Sequence, residues 1–226
     1  MTRGEHHRIH AHDRLQRSRL LVAQEAARLM SEHGIRDFHR AKTKAAERLG
    51  ILETQALPRN QEIEEALRER QRLFLADSQP QSLQQRREAA VEAMRFLAVF
   101  EPRLVGAVLE GTADEHSAVC LHVFSDDPDA VTLFLHDHGV PAESQTRRLR
   151  VTRADQAEYP VLLFAADGLP FDITVLPRNA LRQAPLDRID EKPMRRASLA
   201  AVEALLSGDD DSDQLERMLA NASQRR

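Results

Sequence analysis

With one cysteine, one tyrosine and no tryptophan in 226 residues, the chain lacks much of the side-chain chemistry that several functional classes require. A lone cysteine excludes an internal disulfide and paired CxxC metal or redox motifs, and it suits a reducing compartment. Aromatic residues make up 4% of the chain, which argues against a surface that binds single strands by stacking bases on exposed rings. No stretch approaches the roughly 18 to 20 consecutive apolar residues of a membrane span. The opening text, MTRGEHHRIHAHDR, has no apolar signal-peptide core. The expectation is a cytoplasmic protein with no membrane partner. A net charge of -4 also excludes a general polycation for nucleic acid.

What the chain does have is helical periodicity at both ends and strand text between. From Asp13 to His33, Leu15, Val22, Ala26 and Leu29 share a helical face, and Gly34 is placed to end it. A second helix over 36–49 sets Phe38, Ala41, Ala45 and Leu49 together, with Arg36, Arg40, Lys42, Lys44 and Arg48 supplying positive charge. Residues 1–50 hold 11 Lys/Arg against 6 Asp/Glu. Two helices joined by a glycine turn, the second one basic, superficially resemble a helix-turn-helix; the alternative is a helical hairpin with a solvated basic face. Either way, these basic helices are a candidate surface for a protein partner. His6, His7, His10 and His12 precede them, on a terminus without apolar anchors.

A third helix is expected from Asn60 to Ala76, and the polar run DSQPQS at 77–82 reads as a break. A long helix, 83–100, then carries Ala90, Val91, Met94, Leu97 and Phe100 inward, and Pro102 stops it. Asp126, Asp127 and Pro128 predict the start of a short helix over 130–138. Strands are expected at 146–152, 160–165 and 169–177, the last two joined by an Asp167-Gly168 hairpin turn. A final helix over 193–206, the acidic run SGDDDSD at 207–213 and a short helix at 214–221 complete the reading.

The chain is organised around Arg103–Phe124, RLVGAVLEGTADEHSAVCLHVF, which reads as strand, glycine-containing loop and strand. It resembles the core of the nucleotidyltransferase superfamily, the polymerase-beta-like fold, whose text is G-S-x-x-x-G-T-A, a short loop, then S-D-x-D-hydrophobic. Gly106, Gly111, Thr112, Ala113, Ser117, Val119 and Leu121 fall on the family's positions. Ala107 replaces the motif serine, and Ala118 and Cys120 replace the two metal-binding aspartates. Asp172, in the later strand FDITVL, occupies the place of the family's third acid. The resemblance implies an α+β fold: a nucleotidyltransferase-like mixed sheet with helices over 79–185, preceded by a helical region, 1–78, and followed by a helical tail, 186–226.

Alternate strand residues share a face, so Ala118, Cys120 and His122 stand where an active relative presents carboxylates. A methyl group and a thiol are poor substitutes for hard oxygen ligands, so a two-Mg²⁺ site of the family type is not expected. The resemblance therefore implies a degenerate, non-catalytic member with no metal cofactor. Its groove, formed by Gly106, Gly111, Thr112, Ser117, Cys120, His122, Arg147, Arg148 and Asp172, would bind a nucleotide, an RNA or a protein partner. The Gly111-Thr112 loop could turn backbone N–H groups toward a phosphate. Two alternatives stay open. An active transferase would need Mg²⁺ and a rearranged site drawn from Glu110, Asp114, Asp126, Asp127 and Asp172. A regulatory protein would act through its basic N-terminal helices. Cys120, His122 and Asp172 together also form a conceivable Zn²⁺ set. The chain contains no phosphate-loop, G-x-S-x-G or H-E-x-x-H motif.

Overall fold

Small residues at helical spacing build the N-terminal elements. The computed structural model describes residues 3–35, 37–51, 54–74, 79–152, 154–187, 189 and 191–207. The expected helix at 214–221, the acidic run beyond Ser207 and residues 77–78 of the expected break lie outside the described residues, as do the side chains of His6, His7, His10 and His12. The chain divides into two compact units. One comprises Met1–Gln81, Asp114–Ser117 and Leu186–Pro193; the other comprises Ser82–Ala113, Ala118–Pro185 and Met194–Arg226.

In the first unit, helix α1 (Arg3–His33) begins ten residues before the first periodic apolar residues lead one to expect. Helix α2 (Phe38–Leu49) is capped by Asp37, whose carboxylate accepts from the Arg40 N–H, and is closed by Gly50 in the left-handed conformation at φ 66°. Helix α3 runs Asn60–Phe74, and the Arg59 N–H donates to the Glu62 carboxylate at its start. Val22, Ala26, Leu29, Ala41, Ala45 and Ile63 meet in one core, where the alanines allow close helix approach. The basic residues of α2 are partly committed within this unit. Lys42 donates to Pro58 O and Asn60 Oδ1, both at 2.9 Å, and Arg48 pairs with Glu25 at 3.3 Å.

Helix α4 (Gln79–Phe96) starts inside the polar run expected to be a break, and from Ser82 onward it belongs to the second unit. A 3-10 turn, Ala98–Phe100, leads to strand β1 (Arg103–Val105). The stretch expected to be a plain loop between strands contains a helical turn, α5 (Ala107–Glu110), bracketed by Gly106 at φ 73° and Gly111 at φ 76°. Strand β2 (Val119–Phe124), helix α6 (Pro128–Asp137), and strands β3 (Glu143–Arg150), β4 (Gln156–Ala166) and β5 (Leu169–Leu176) follow. Asp127 caps α6 through the Asp129 N–H. Asp167 and Gly168, both at positive φ, turn β4 into β5, the backbone that a two-residue hairpin requires.

The five strands form one mixed sheet in the order β1-β2-β5-β4-β3, with β2 parallel to β5 and the other neighbours antiparallel. One face carries Leu104, Val119, Leu121, Val123, Leu162, Phe171, Ile173 and Val175. It is covered by Val91 and Met94 of α4, Leu97 just after that helix, and Val131 and Leu135 of α6, all buried. Helix α7 (Leu199–Ser207) adds Val202 to that core. It starts six residues later than periodicity suggests, because Ala197 forms a β-bridge with Leu104, exchanging two 2.9 Å backbone hydrogen bonds. That pairing holds the preceding residues extended, and a tertiary partner outweighs helix propensity. The fold is a mixed α+β arrangement with helices toward both ends of the chain, and among the described residues no helix is long and apolar enough to cross a membrane.

Candidate ligand-binding site

The sheet face opposite α4 and α6 carries the polar residues. Alternation along β2 puts Cys120, His122 and Phe124 there, because Val119, Leu121 and Val123 belong to the core. The parallel pairing aligns Cys120 with Asp172, His122 with Thr174 and Phe124 with Leu176, while β1 sets Val105 beside Cys120 and Arg103 beside His122. Toward the far end, Phe124, Leu149 and Leu176 close a small apolar cluster.

Asp172, expected from the resemblance to stand at an acid position, is held by a guanidinium. Arg147, on β3, reaches across the width of β4 and makes a two-pronged pair with it. Its Nη1 donates to Oδ1 at 2.8 Å and its Nη2 to Oδ2 at 2.6 Å. Nη1 also lies 3.3 Å from Thr174 Oγ1. The hydrogen bond to Asp172 raises the Arg147 pKa above its ordinary value, against a smaller opposing effect of burial. Both side chains are partly shielded from water, so this fork is stronger than a surface ion pair.

His122 is 3% exposed, and its Nδ1 has no hydrogen-bond partner among the described residues. Burial first, and then the charges of Arg196 and Arg147, push its pKa down to about 3, so the ring is neutral at ordinary pH. Arg196 lies over the Phe124 ring, 5.5 Å from its centroid, and donates to Ala180 O and Leu181 O at 2.8 and 3.1 Å. Burial and the charge of Arg103 lower its pKa.

The remaining sequence-derived residues are distributed differently. Arg148 falls on the other side of β3 from Arg147 and pairs with Glu158 at 2.6 Å, an exposed contact; the two-residue period of a strand separates neighbours. Gly106 lies against Cys120, with space for a Cβ at 3.7 Å from the Cys120 Cβ. The Gly111 and Thr112 N–H groups both donate to Ala107 O, so the loop turns these amides back onto α5 and not toward a ligand. Ser117 belongs to the first unit, where its hydroxyl donates to Asp114 Oδ1 and accepts from the Asp114 N–H, both at 2.9 Å.

Each acid of the rearranged-site alternative also accepts from a protein donor. Glu110 pairs with Arg195 at 2.9 Å, Asp126 accepts from the Arg178 N–H at 3.0 Å, Asp127 from the Asp129 N–H at 3.1 Å, and Asp114 from the His116 N–H at 3.0 Å. Among the described residues, no group of three or more His, Cys, Asp or Glu is gathered to hold a metal ion. Cys120 and Asp172 are register neighbours, but Asp172 is engaged by Arg147.

Sequence reasoning missed Arg103, Thr174 and Arg196. Strand parity contained the first two, since Arg103 alternates with Leu104 and Thr174 with Ile173. Nothing local marked Arg196, which reads as the opening of a helix. No protein-family model matches the chain, and no curated protein matches it.

Proposed function

We propose that this chain is a non-catalytic protein of nucleotidyltransferase-like fold that binds a nucleotide through the polar face of its sheet, without a divalent cation. The observation that carries the reading is the Arg147-Asp172 fork. The last carboxylate at a family acid position is neutralised by an arginine, where a working transferase needs its oxygens for Mg²⁺. Ala118 and Cys120 replace the other two acids, and the mixed sheet supports the assignment by bringing Cys120 and Asp172 side by side on parallel strands. The face bears Arg103, Arg147 and Arg196 against Asp172 and, at the β3 edge, Glu143, an excess of one positive charge suited to phosphate groups.

The test is a thermal-shift series with ATP, CTP, UTP and GTP, each with EDTA and with Mg²⁺. Ligand binding to the native state raises its stability by mass action. Stabilisation by at least one nucleotide in EDTA supports the reading. A shift that demands Mg²⁺, or transfer of a nucleotide to any acceptor, overturns it. Binding only to RNA or to a protein, with no nucleotide effect, also overturns the nucleotide assignment.

A further inference from the structure

On the same sheet face, two half-buried guanidinium groups lack a carboxylate, and they flank an imidazole that lacks a partner. Arg103 and His122 are register partners on β1 and β2, and the antiparallel bridge of Ala197 to Leu104 sets Arg196 next to Val105 on the same face, close enough for its charge to act on both. Among the described residues neither Arg103 nor Arg196 forms an ion pair with Asp or Glu. Arg103 donates to Glu101 O and Pro102 O, and Arg196 to Ala180 O and Leu181 O. An arginine has five N–H donors, so two bonds leave three on Arg196 for another acceptor. Carbonyl dipoles orient these groups and do not cancel their charge. Like charges placed together and partly removed from water cost stability unless an anion accompanies them. A buried ring nitrogen with no partner is equally unusual.

We infer that Arg103, His122 and Arg196 form a metal-independent binding site for a phosphoryl group. Planar guanidinium forks match the oxygens of phosphate, and the neutral imidazole, its Nδ1 shielded from solvent, borders them without adding a charge. Arg147 is not part of this trio; its fork is filled by Asp172, which also keeps that carboxylate from repelling the anion. The phosphoryl group is of one chemistry with two possible sources, inorganic phosphate or the phosphate of a nucleotide. The inference rests on the reading above for its nucleotide source only.

The experiment titrates the full chain with inorganic phosphate and, separately, with ATP, both in EDTA at constant ionic strength, followed by calorimetry and thermal shift. Saturable phosphate binding, weakened at least tenfold in Arg196→Gln and in Arg103→Gln but unchanged in Arg148→Gln, is the expected result. Because Arg196 also holds two backbone carbonyls, the intact protein supplies a second readout. Nitrogen chemical shifts of the His122 ring should move on adding phosphate, and its pKa should rise, since an anion offsets the fields of Arg103, Arg147 and Arg196. Asp172, Cys120, Tyr159 and Glu143, the other titratable groups on this face, act in both states. An ATP effect with no response to Arg103→Gln, Arg196→Gln or at the His122 ring overturns the site while leaving nucleotide binding intact. Phosphate binding that obeys the variants, with no ATP effect, sustains the site and removes the nucleotide reading. Absence of saturable binding by both ligands overturns the site.

Discussion

Arg147 and Asp172, 25 residues apart in sequence and two strands apart in the sheet, share two hydrogen bonds of 2.8 and 2.6 Å. The pair turns what would be an isolated carboxylate beside a thiol and an imidazole into a neutral, oriented unit. It also ties the edge strand β3 to β5 independently of the β4 ladder. Removing either partner leaves the other charged and partly buried, which costs more than the pair contributes when intact.

Arg147→Gln is therefore expected to lower stability by about 2 kcal/mol, the scale of a charge-assisted hydrogen bond left unmade, and Asp172→Asn by a similar amount. Urea denaturation of both single variants and the double variant measures the coupling. A double variant whose loss equals the sum of the singles would show that the fork contributes nothing.

The depressed His122 pKa sets a pH dependence. The unfolded ring titrates near 6.5 and the folded ring near 3, so below about pH 6.5 the unfolded chain binds more protons. The histidine's contribution is fully present above pH 6.5 and is lost as pH falls, by up to about 1.4 kcal/mol per pH unit, until the folded pKa is reached. Relative to wild type, His122→Gln should show a shallower fall in denaturation free energy between pH 6.5 and 4. Parallel curves would place the ring in a solvated setting.

Gly106 sits at φ 73°, ψ -155°, a region closed to residues with a side chain, although a Cβ would meet nothing closer than 3.7 Å. Gly106→Ala is thus expected to cost about 1 to 3 kcal/mol through backbone strain alone. Adding Cys120→Ala should not recover it. Recovery would mean that the cost was a steric clash with the cysteine.

Carboxylates introduced at 118 and 120 should make the protein cation-dependent. Ala118→Asp with Cys120→Asp places one acid opposite Asp172 on the neighbouring strand and a second just before that strand begins. The double variant should be less stable than wild type in EDTA, from like-charge repulsion, and should regain several degrees of melting temperature with millimolar Mg²⁺. Wild type should show no such gain. A variant indifferent to Mg²⁺ would argue that position 118 does not face the same side as 120.

Local text was enough to place α2, α6 and the β4-β5 hairpin, because Gly50, Asp127 and the Asp167-Gly168 turn are signals read within a few residues. Strand parity likewise put Cys120 and His122 on one side of their strand and Asp172 away from Phe171 and Ile173 on another; the parallel pairing of the two strands is what brings them to one face. Parity should also have separated Arg148 from Arg147, since neighbours on a strand point oppositely.

What only the tertiary structure decided is which partner each group found. The fork between Arg147 and Asp172, the bridge that draws residues 195–198 away from α7, and the approach of Arg196 to His122 all join segments far apart in the chain. Periodicity reports which side of an element is apolar. It carries no record of the strand order β1-β2-β5-β4-β3, and that order determines which charges are neutralised and which remain available to an anion.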